Sequence, residues 1–149
     1  MPCVSGSRNG SSFLNKKNLL FGKSGYNKNM KEYLKVSLLP KDTNASGTIF
    51  GGVIMSYMDI AGLHCARDGY DNNFVTRHIY DLDFLSPVFV GDIVTFRGEI
   101  LEHTHSSVTV FIEVEAERYD TREKFLVTQA KIVYVAVDAS RQKIALNKR

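Results

Sequence analysis

Residues 40–62 read Pro40-Lys41-Asp42-Thr43-Asn44-Ala45-Ser46-Gly47-Thr48-Ile49-Phe50-Gly51-Gly52-Val53-Ile54-Met55-Ser56-Tyr57-Met58-Asp59-Ile60-Ala61-Gly62. The stretch opens as turn chemistry, with Asp, Thr, Asn, Ser and Gly crowded between Lys41 and Gly47. It then passes through a Gly-Gly step into a periodic pattern. Ile54, Met58, Ala61 and Cys65 recur at spacings of four, three and four, which is one face of a helix. That spacing predicts one helix from Gly51 to Arg67, closed by Gly69.

On both sides of this helix the pattern is that of strands. Tyr33 to Leu38 alternates and is stopped by Pro40. Beyond the helix, Phe74 to Phe84 reads as a strand, Val90-Gly91-Asp92 as a turn, and Ile93 to Leu101 as the next strand. His103 to Ser106 turns the chain again. Val108, Val110, Ile112, Val114 and Ala116 alternate with Thr109, Phe111, Glu113, Glu115 and Glu117, a strict period of two that predicts a strand with one wet face. Phe125 to Val137 is a last long strand, and Arg141 to Arg149 reads as a solvated tail. The order is strand, helix, then four strands. One helix cannot cover both faces of such a sheet, so the expectation is an α+β domain whose antiparallel sheet curls round it. No βαβ alternation supports a parallel sheet.

The same stretch carries the chemistry. Adjacent glycines let a ligand approach the backbone. The first N–H groups of a helix lack intrahelical partners and carry partial positive charge. A carbonyl placed there is polarised, and an oxyanion forming on it is stabilised. Asp59 follows Gly52 by seven residues, about two turns, which places Gly52, Met55 or Ser56, and Asp59 on one side of the helix. A carboxylate in mid-helix, between Met58 and Ile60, must be paired, protonated or functional. Taken alone, these residues also suit a helix cap and an acid facing water.

The stretch closely resembles the signature of the YciA-like acyl-CoA thioesterases, which are related to the cytosolic long-chain acyl-CoA hydrolases. Asp42, Thr43, Asn44, Gly47, Ile49, Phe50, Gly51, Gly52, Ile54, Met55, Ser56, Met58, Asp59 and Gly62 fill that signature's places. Phe84 with Pro87, Val90-Gly91-Asp92, Ser106-Ser107 and Tyr134 to Asp138 add to it, so the resemblance spans about residues 33–145. It implies a hotdog fold, an antiparallel sheet wrapped round one long helix. It also implies an obligate homodimer, often a trimer of dimers, with the site between subunits. Carried over, Asp59 is the catalytic carboxylate, Asn44 a polar partner from the facing subunit, and Gly52 the backbone oxyanion donor. Gly51, Ser56, His105, Ser106 and Ser107 are implied as substrate-binding residues, the last three in a turn near the CoA nucleotide. No separate cofactor is implied, because CoA is part of the substrate. The chain departs from the family at His105, where members often carry a basic residue, and in the more polar Arg77-His78-Ile79-Tyr80-Asp81. The alternatives are a non-catalytic acyl-CoA-binding hotdog domain and an enoyl-thioester hydratase or dehydratase.

Bulk composition agrees with a single domain among 149 residues. The formal charge of +3 is uneven: six basic residues and no acid precede Glu32, and removing those six leaves −3 on the rest. The body of the chain is therefore no nucleic-acid binder by composition. Residues 1–31, rich in Ser, Gly, Asn and Lys, read as an extension, either an organelle-targeting segment or a disordered tail, ahead of a domain over residues 32–149. Cys3 and Cys65 form no disulfide framework, which suits a reducing, cytoplasmic setting. No two of His64, His78, His103 and His105 have metal-ligand spacing on a helix, no apolar run reaches a membrane span, and Ser56 lacks a nucleophile-elbow context.

Overall fold

The computed structural model describes residues 30–149. The reading of residues 1–31 as an extension falls outside that range except at its end, where the first strand has already begun. The elements are β1 (Lys31–Ser37), a single 3-10 turn (Pro40–Asp42), α1 (Gly51–Gly69), β2 (Asn73–Phe84), β3 (Ile93–His103), β4 (Ser107–Glu117) and β5 (Lys124–Val137). The strands form one sheet in the order β1-β3-β4-β5-β2, with every neighbouring pair antiparallel. This is the expected α+β arrangement of one helix against a five-stranded sheet.

The period-two row on β4 explains where the core lies. Val108, Val110, Ile112, Val114 and Ala116 are all fully buried beneath the helix. They meet Ile54, Met58, Ala61 and Cys65, the face picked out by helical spacing, none more than 2 % exposed. Burying each such aliphatic side chain is worth about 1.5–3 kcal/mol. Close approach is bought by a glycine: a Cβ on Gly98 would fall 2.5 Å from Ile112 Cδ1 and 3.4 Å from Cys65 Sγ. The Cys65 thiol lies in this contact, and burial pushes its pKa up to about 11, so it is a packing group and not a nucleophile.

Three expectations are corrected. The helix runs past Arg67 to Gly69 itself, which is its last residue. The glycine's lack of a side chain accommodates Ile100, whose Cδ1 would lie 2.8 Å from a Cβ there. The glutamate row of β4 is only half wet. Glu115, its side chain 13 % exposed, faces Arg97 at 3.6 Å and Lys124 at 3.8 Å. Burial, with Glu115 nearby, also holds the Glu113 carboxyl above its ordinary pKa against the opposing pull of Arg97. Long side chains crossing the middle strand of a sheet cover one another, which an alternation pattern does not reveal.

The third correction is at the C-terminus, which is largely exposed as expected but is not a free tail. Ile144 N–H donates to Ala136 O at 3.0 Å, Leu146 N–H to His105 O at 2.8 Å and Arg149 N–H to Gly69 O at 3.1 Å. Asp71 N–H donates to Asn147 O at 2.8 Å, and the buried Asn72 side chain accepts from Asn147 N–H and donates to Ala145 O. The segment thus ties the β3–β4 turn to the end of α1. Charge made it look like a tail, whereas backbone pairing holds it. Deleting residues 144–149 removes these bonds, each worth about 0.5–1.5 kcal/mol. The melting temperature should fall by about 5–10 °C on the scale expected for a domain of this size. An unchanged thermal melt would show the segment to be dispensable.

Candidate active site

The loop before α1 folds on itself. Asn44 Oδ1 accepts from the N–H groups of Ser46 (2.9 Å) and Thr48 (3.2 Å), and Asn44 Nδ2 donates to Thr48 Oγ1 at 2.9 Å. Gly47, at φ +79°, closes the tight return, and Thr43 pairs with Ile49. The Asp42 carboxylate receives Leu39 N–H and Lys41 Nζ, while its carbonyl receives Phe50 N–H. These bonds fix the point at which the helix begins. Phe50 is the N-cap and offers no side-chain cap. The N–H groups of Gly51 and Gly52 have no acceptor among the described residues, as the start of an uncapped helix requires. A Cβ on Gly52 would meet nothing within 4 Å, whereas one on Gly51 would meet the Phe84 ring at 3.1 Å, so the helix start is open on the Gly52 side.

Asp59 lies on the partly exposed side of α1, facing β2 and β5. Thr76 Oγ1 on β2 donates to Asp59 Oδ1 at 2.6 Å. The Tyr134 hydroxyl on β5 lies 2.7 Å from the Asp59 carbonyl and 3.1 Å from the same Oδ1, so its one proton is shared between them. Burial, and then the negative charge of Asp59, holds the Tyr134 phenol far above its ordinary pKa, so it stays a donor throughout the neutral range. Oδ2 has no partner among the described residues. One carboxylate oxygen is therefore anchored by two neutral hydroxyls and the other is free to meet a water or an electrophile.

Gly62 makes this possible. A Cβ at that position would lie 2.3 Å from the Tyr134 hydroxyl and 3.0 Å from its Cζ. Mid-helix glycine costs about 1 kcal/mol of helix propensity, and here its missing side chain lets the phenol reach the helix backbone. Thr76 and Tyr134 were not among the sequence candidates. Their signal was present in Gly62, an unexplained glycine one turn after an unexplained acid.

The other candidates are dispersed. Asn44 and Asp59 share no hydrogen bond within the chain. Ser56 turns its hydroxyl back onto Val53 O at 2.8 Å. His105 and Ser106 lie in the β3–β4 turn and Ser107 opens β4; the neighbouring His103 ring lies 5.7 Å from that of Tyr70 at the far end of α1. Ser106 is buried and its carbonyl receives Ala136 N–H, Ser107 Oγ is 2.7 Å from Thr104 Oγ1, and exposed His105 holds Leu146 through its carbonyl. His64 is five residues from Asp59, about 140° round the helix. It lines a polar cleft with Lys31, Tyr33 and Asp68 on the β1 side, so the two make no dyad. Arg77 to Asp81 lie on β2, an edge strand bulged between Tyr80 and Asp83 with Asp81 at φ 55°. No group of His, Cys, Asp or Glu among the described residues could hold a metal, and none of the described helices is long and apolar enough to cross a membrane.

Comparison with known proteins fits this geometry. Residues 46–121 match the family model described as the thioesterase superfamily. An acyl-CoA thioester hydrolase, YciA, of Escherichia coli (strain K12) is 37% identical over 108 residues, 70% of this chain and 82% of the relative. A relative from Haemophilus influenzae, described as an uncharacterized acyl-CoA thioester hydrolase, is 37% identical over 108 residues, 70% of each chain. Among solved structures, a hexameric thioesterase from Yersinia pestis superposes with a TM-score of 0.75 at 36% identity, over 79% of this chain and 97% of that one. A hexameric broad-specificity acyl-coenzyme A thioesterase gives 0.76 at 33% identity, over 83% and 86%.

The Gly62–Tyr134 contact can be tested without any assay of function. Gly62→Ala should cost about 2–4 kcal/mol, because the added methyl group displaces a buried phenol. In Tyr134→Phe the same change should cost less, since the hydroxyl that clashes first is gone. Denaturant unfolding of the four proteins of this double-mutant cycle reads the coupling, and additive effects would place the strain elsewhere.

Proposed function

The chain belongs to the thioesterase superfamily, and from that premise we propose that it hydrolyses acyl-CoA thioesters to a carboxylic acid and CoA, with Asp59 as the catalytic carboxylate. The observation that carries this reading is the state of the Asp59 side chain. Thr76 and Tyr134 hold Oδ1, and Oδ2 is unengaged. A pinned carboxylate with one free oxygen suits two roles. It can take a proton from a water that attacks the thioester carbonyl, or attack that carbonyl itself. In either case the carbon–sulfur bond breaks and the CoA sulfur leaves and is protonated; water adds directly to the acyl carbon in the first role, and in the second it hydrolyses the acyl–Asp59 anhydride, releasing the acid and regenerating the carboxylate. The open Gly51 and Gly52 N–H groups supply what such a reaction needs at the carbonyl oxygen.

Distance supports a site built from two copies of the chain. Gly52 and Asp59 are seven residues apart on one helix, about 10.5 Å along its axis. Gly52 N–H points away from Asp59, towards the helix start. A reacting carbonyl has to lie about 3 Å from its donor and about 3 Å from its attacking group. One helix cannot place both of its own groups on one thioester. The helix start of one subunit facing Asp59 of another satisfies both distances. In that arrangement Asn44, beside the helix start, enters the site from the facing subunit with the Nδ2 hydrogen its own loop leaves unused. Among the described residues β2 bonds only to β5, which leaves its outer edge available to pair with another chain. We therefore read the protein as a homodimer at minimum, compatible with a trimer of dimers. His105, Ser106 and Ser107 remain our candidates for the turn near the CoA nucleotide.

Release of free thiol across short, medium and long acyl-CoAs tests the reaction class. A binding domain would retain the esters intact, and a hydratase would consume an enoyl thioester without releasing thiol. Asp59→Asn should lower kcat by at least about a thousandfold with KM within a few-fold, since the lost group acts in the transition state. Activity within a few-fold of wild type would remove Asp59 from the mechanism. Asn44→Ala and Asp59→Ala, each inactive alone, should regain part of the activity when purified as a mixed dimer. Proven mixed dimers that stay inactive would argue against a shared site.

A further inference from the structure

Beside the start of α1 lies an apolar cavity of about 340 Å³, lined chiefly by Ile49, Gly51, Ile54, Phe84, Val88 and Val127. It is part of the fold and not a gap left by loose loops. Ile49 N–H donates to Val88 O and Leu85 N–H donates to Val127 O, both at 2.8 Å, so opposite walls are tied by backbone bonds. At the far end of the connection between β2 and β3 the turn is equally fixed. The buried Asp92 carboxylate takes Phe89 N–H and the Arg118 guanidinium, which stacks over Phe89 and Phe125. Phe84 stands at the mouth. Its Cε2 and Cζ would lie 3.1 Å from a Cβ on Gly51, so its ring rests directly on the first helical residue, yet the residue is still 47 % exposed.

This placement joins two features. Gly51 is a wall of the cavity, and it also carries one of the two unpaired N–H groups at the helix start. A carbonyl held by those donors has the cavity next to it, and the cavity offers its occupant aliphatic and aromatic surface. We propose that the cavity takes the apolar acyl tail of the thioester and that Phe84 sets how long a tail it accepts, an inference that rests on the hydrolase reading above. A methylene group fills about the 30 Å³ of a water molecule, so the cavity admits a chain of about ten carbons. Arg77 to Asp81, the polar stretch of β2, does not line it, and so its departure from the family pattern leaves the tail pocket unaltered.

The test is a chain-length series of saturated acyl-CoAs, from four to sixteen carbons, with wild type, Phe84→Ala and Phe84→Trp. Thiol release gives kcat/KM for each. Each buried methylene should raise kcat/KM by roughly fourfold until the cavity is full, near ten carbons in wild type. Phe84→Ala should carry the rise several carbons further, increasing the twelve-to-eight-carbon ratio at least about tenfold, and Phe84→Trp should end it earlier. The same series of thermal shifts, measured on Asp59→Asn protein with and without Phe84→Ala, reads binding without turnover. Chain-length profiles that superimpose for all three Phe84 residues, in both measurements, would overturn the assignment. Absence of thiol release from every acyl-CoA by wild type would overturn the hydrolase reading instead, and the thermal shifts would then decide the pocket by themselves.

Discussion

The structure turns on one contact, the Tyr134 hydroxyl against the backbone of α1 at Asp59 and Gly62. A sheet with one helix has a single place to bury its apolar face, and the helix must lie flat upon it. Most of that burial is generic, with aliphatic side chains of β3 and β4 meeting Ile54, Met58, Ala61 and Cys65. Generic burial fixes that the helix packs, and leaves its rotation and depth loosely set. A phenol that must reach a particular carbonyl through a gap the width of a missing methyl group sets both. The same contact fixes the direction in which Asp59 leaves the helix and which of its oxygens is free.

Much of this was legible beforehand, for identifiable reasons. The helix face and the buried row of β4 were readable because periodicity reports burial directly. Asp59 was readable as a chemical group because an acid among apolar helical neighbours demands an explanation. Its clamp was not readable, because Thr76 and Tyr134 are 17 and 75 residues away in sequence, and only strand register brings them together. The C-terminal segment was misread for a related cause. Basic composition suggested a free tail, while the determining facts were backbone bonds to Gly69, His105 and Ala136 and the two-way bonding of Asn72. Backbone pairing of an irregular segment leaves almost no trace in side-chain chemistry. Asn44 shows an intermediate case. The sequence singles it out as a polar partner of the site, and its visible work in the chain is to shape the Thr43–Ile49 return.

The proposed site has two halves of different physical character. At the helix start the working groups are backbone N–H groups, set by a loop whose hydrogen bonds are almost entirely local. In mid-helix the working group is a side chain, set by strands that arrive from far along the sequence. The first half depends on turn chemistry between Asp42 and Thr48, and the second on the registry of β2 with β5. A disturbance of the loop would disorder the proposed oxyanion donors and leave Asp59 in place, and slippage of β2 would do the reverse. The apolar cavity sits with the first half, between the loop, the helix start and the β2–β3 connection.

The glycine beneath Tyr134 has a consequence for descent. Gly62 is a liability to the helix by itself and is tolerable only while the phenol occupies its gap. Asp59, Gly62 and Tyr134 therefore form one unit of inheritance, in which the order of change matters. A lineage that lost Tyr134 first could fill the gap at Gly62 and gain helix stability, and return would then be barred by the new side chain. A duplicated copy released from its chemistry should accordingly record its release at position 62, a ratchet written in a single methyl group.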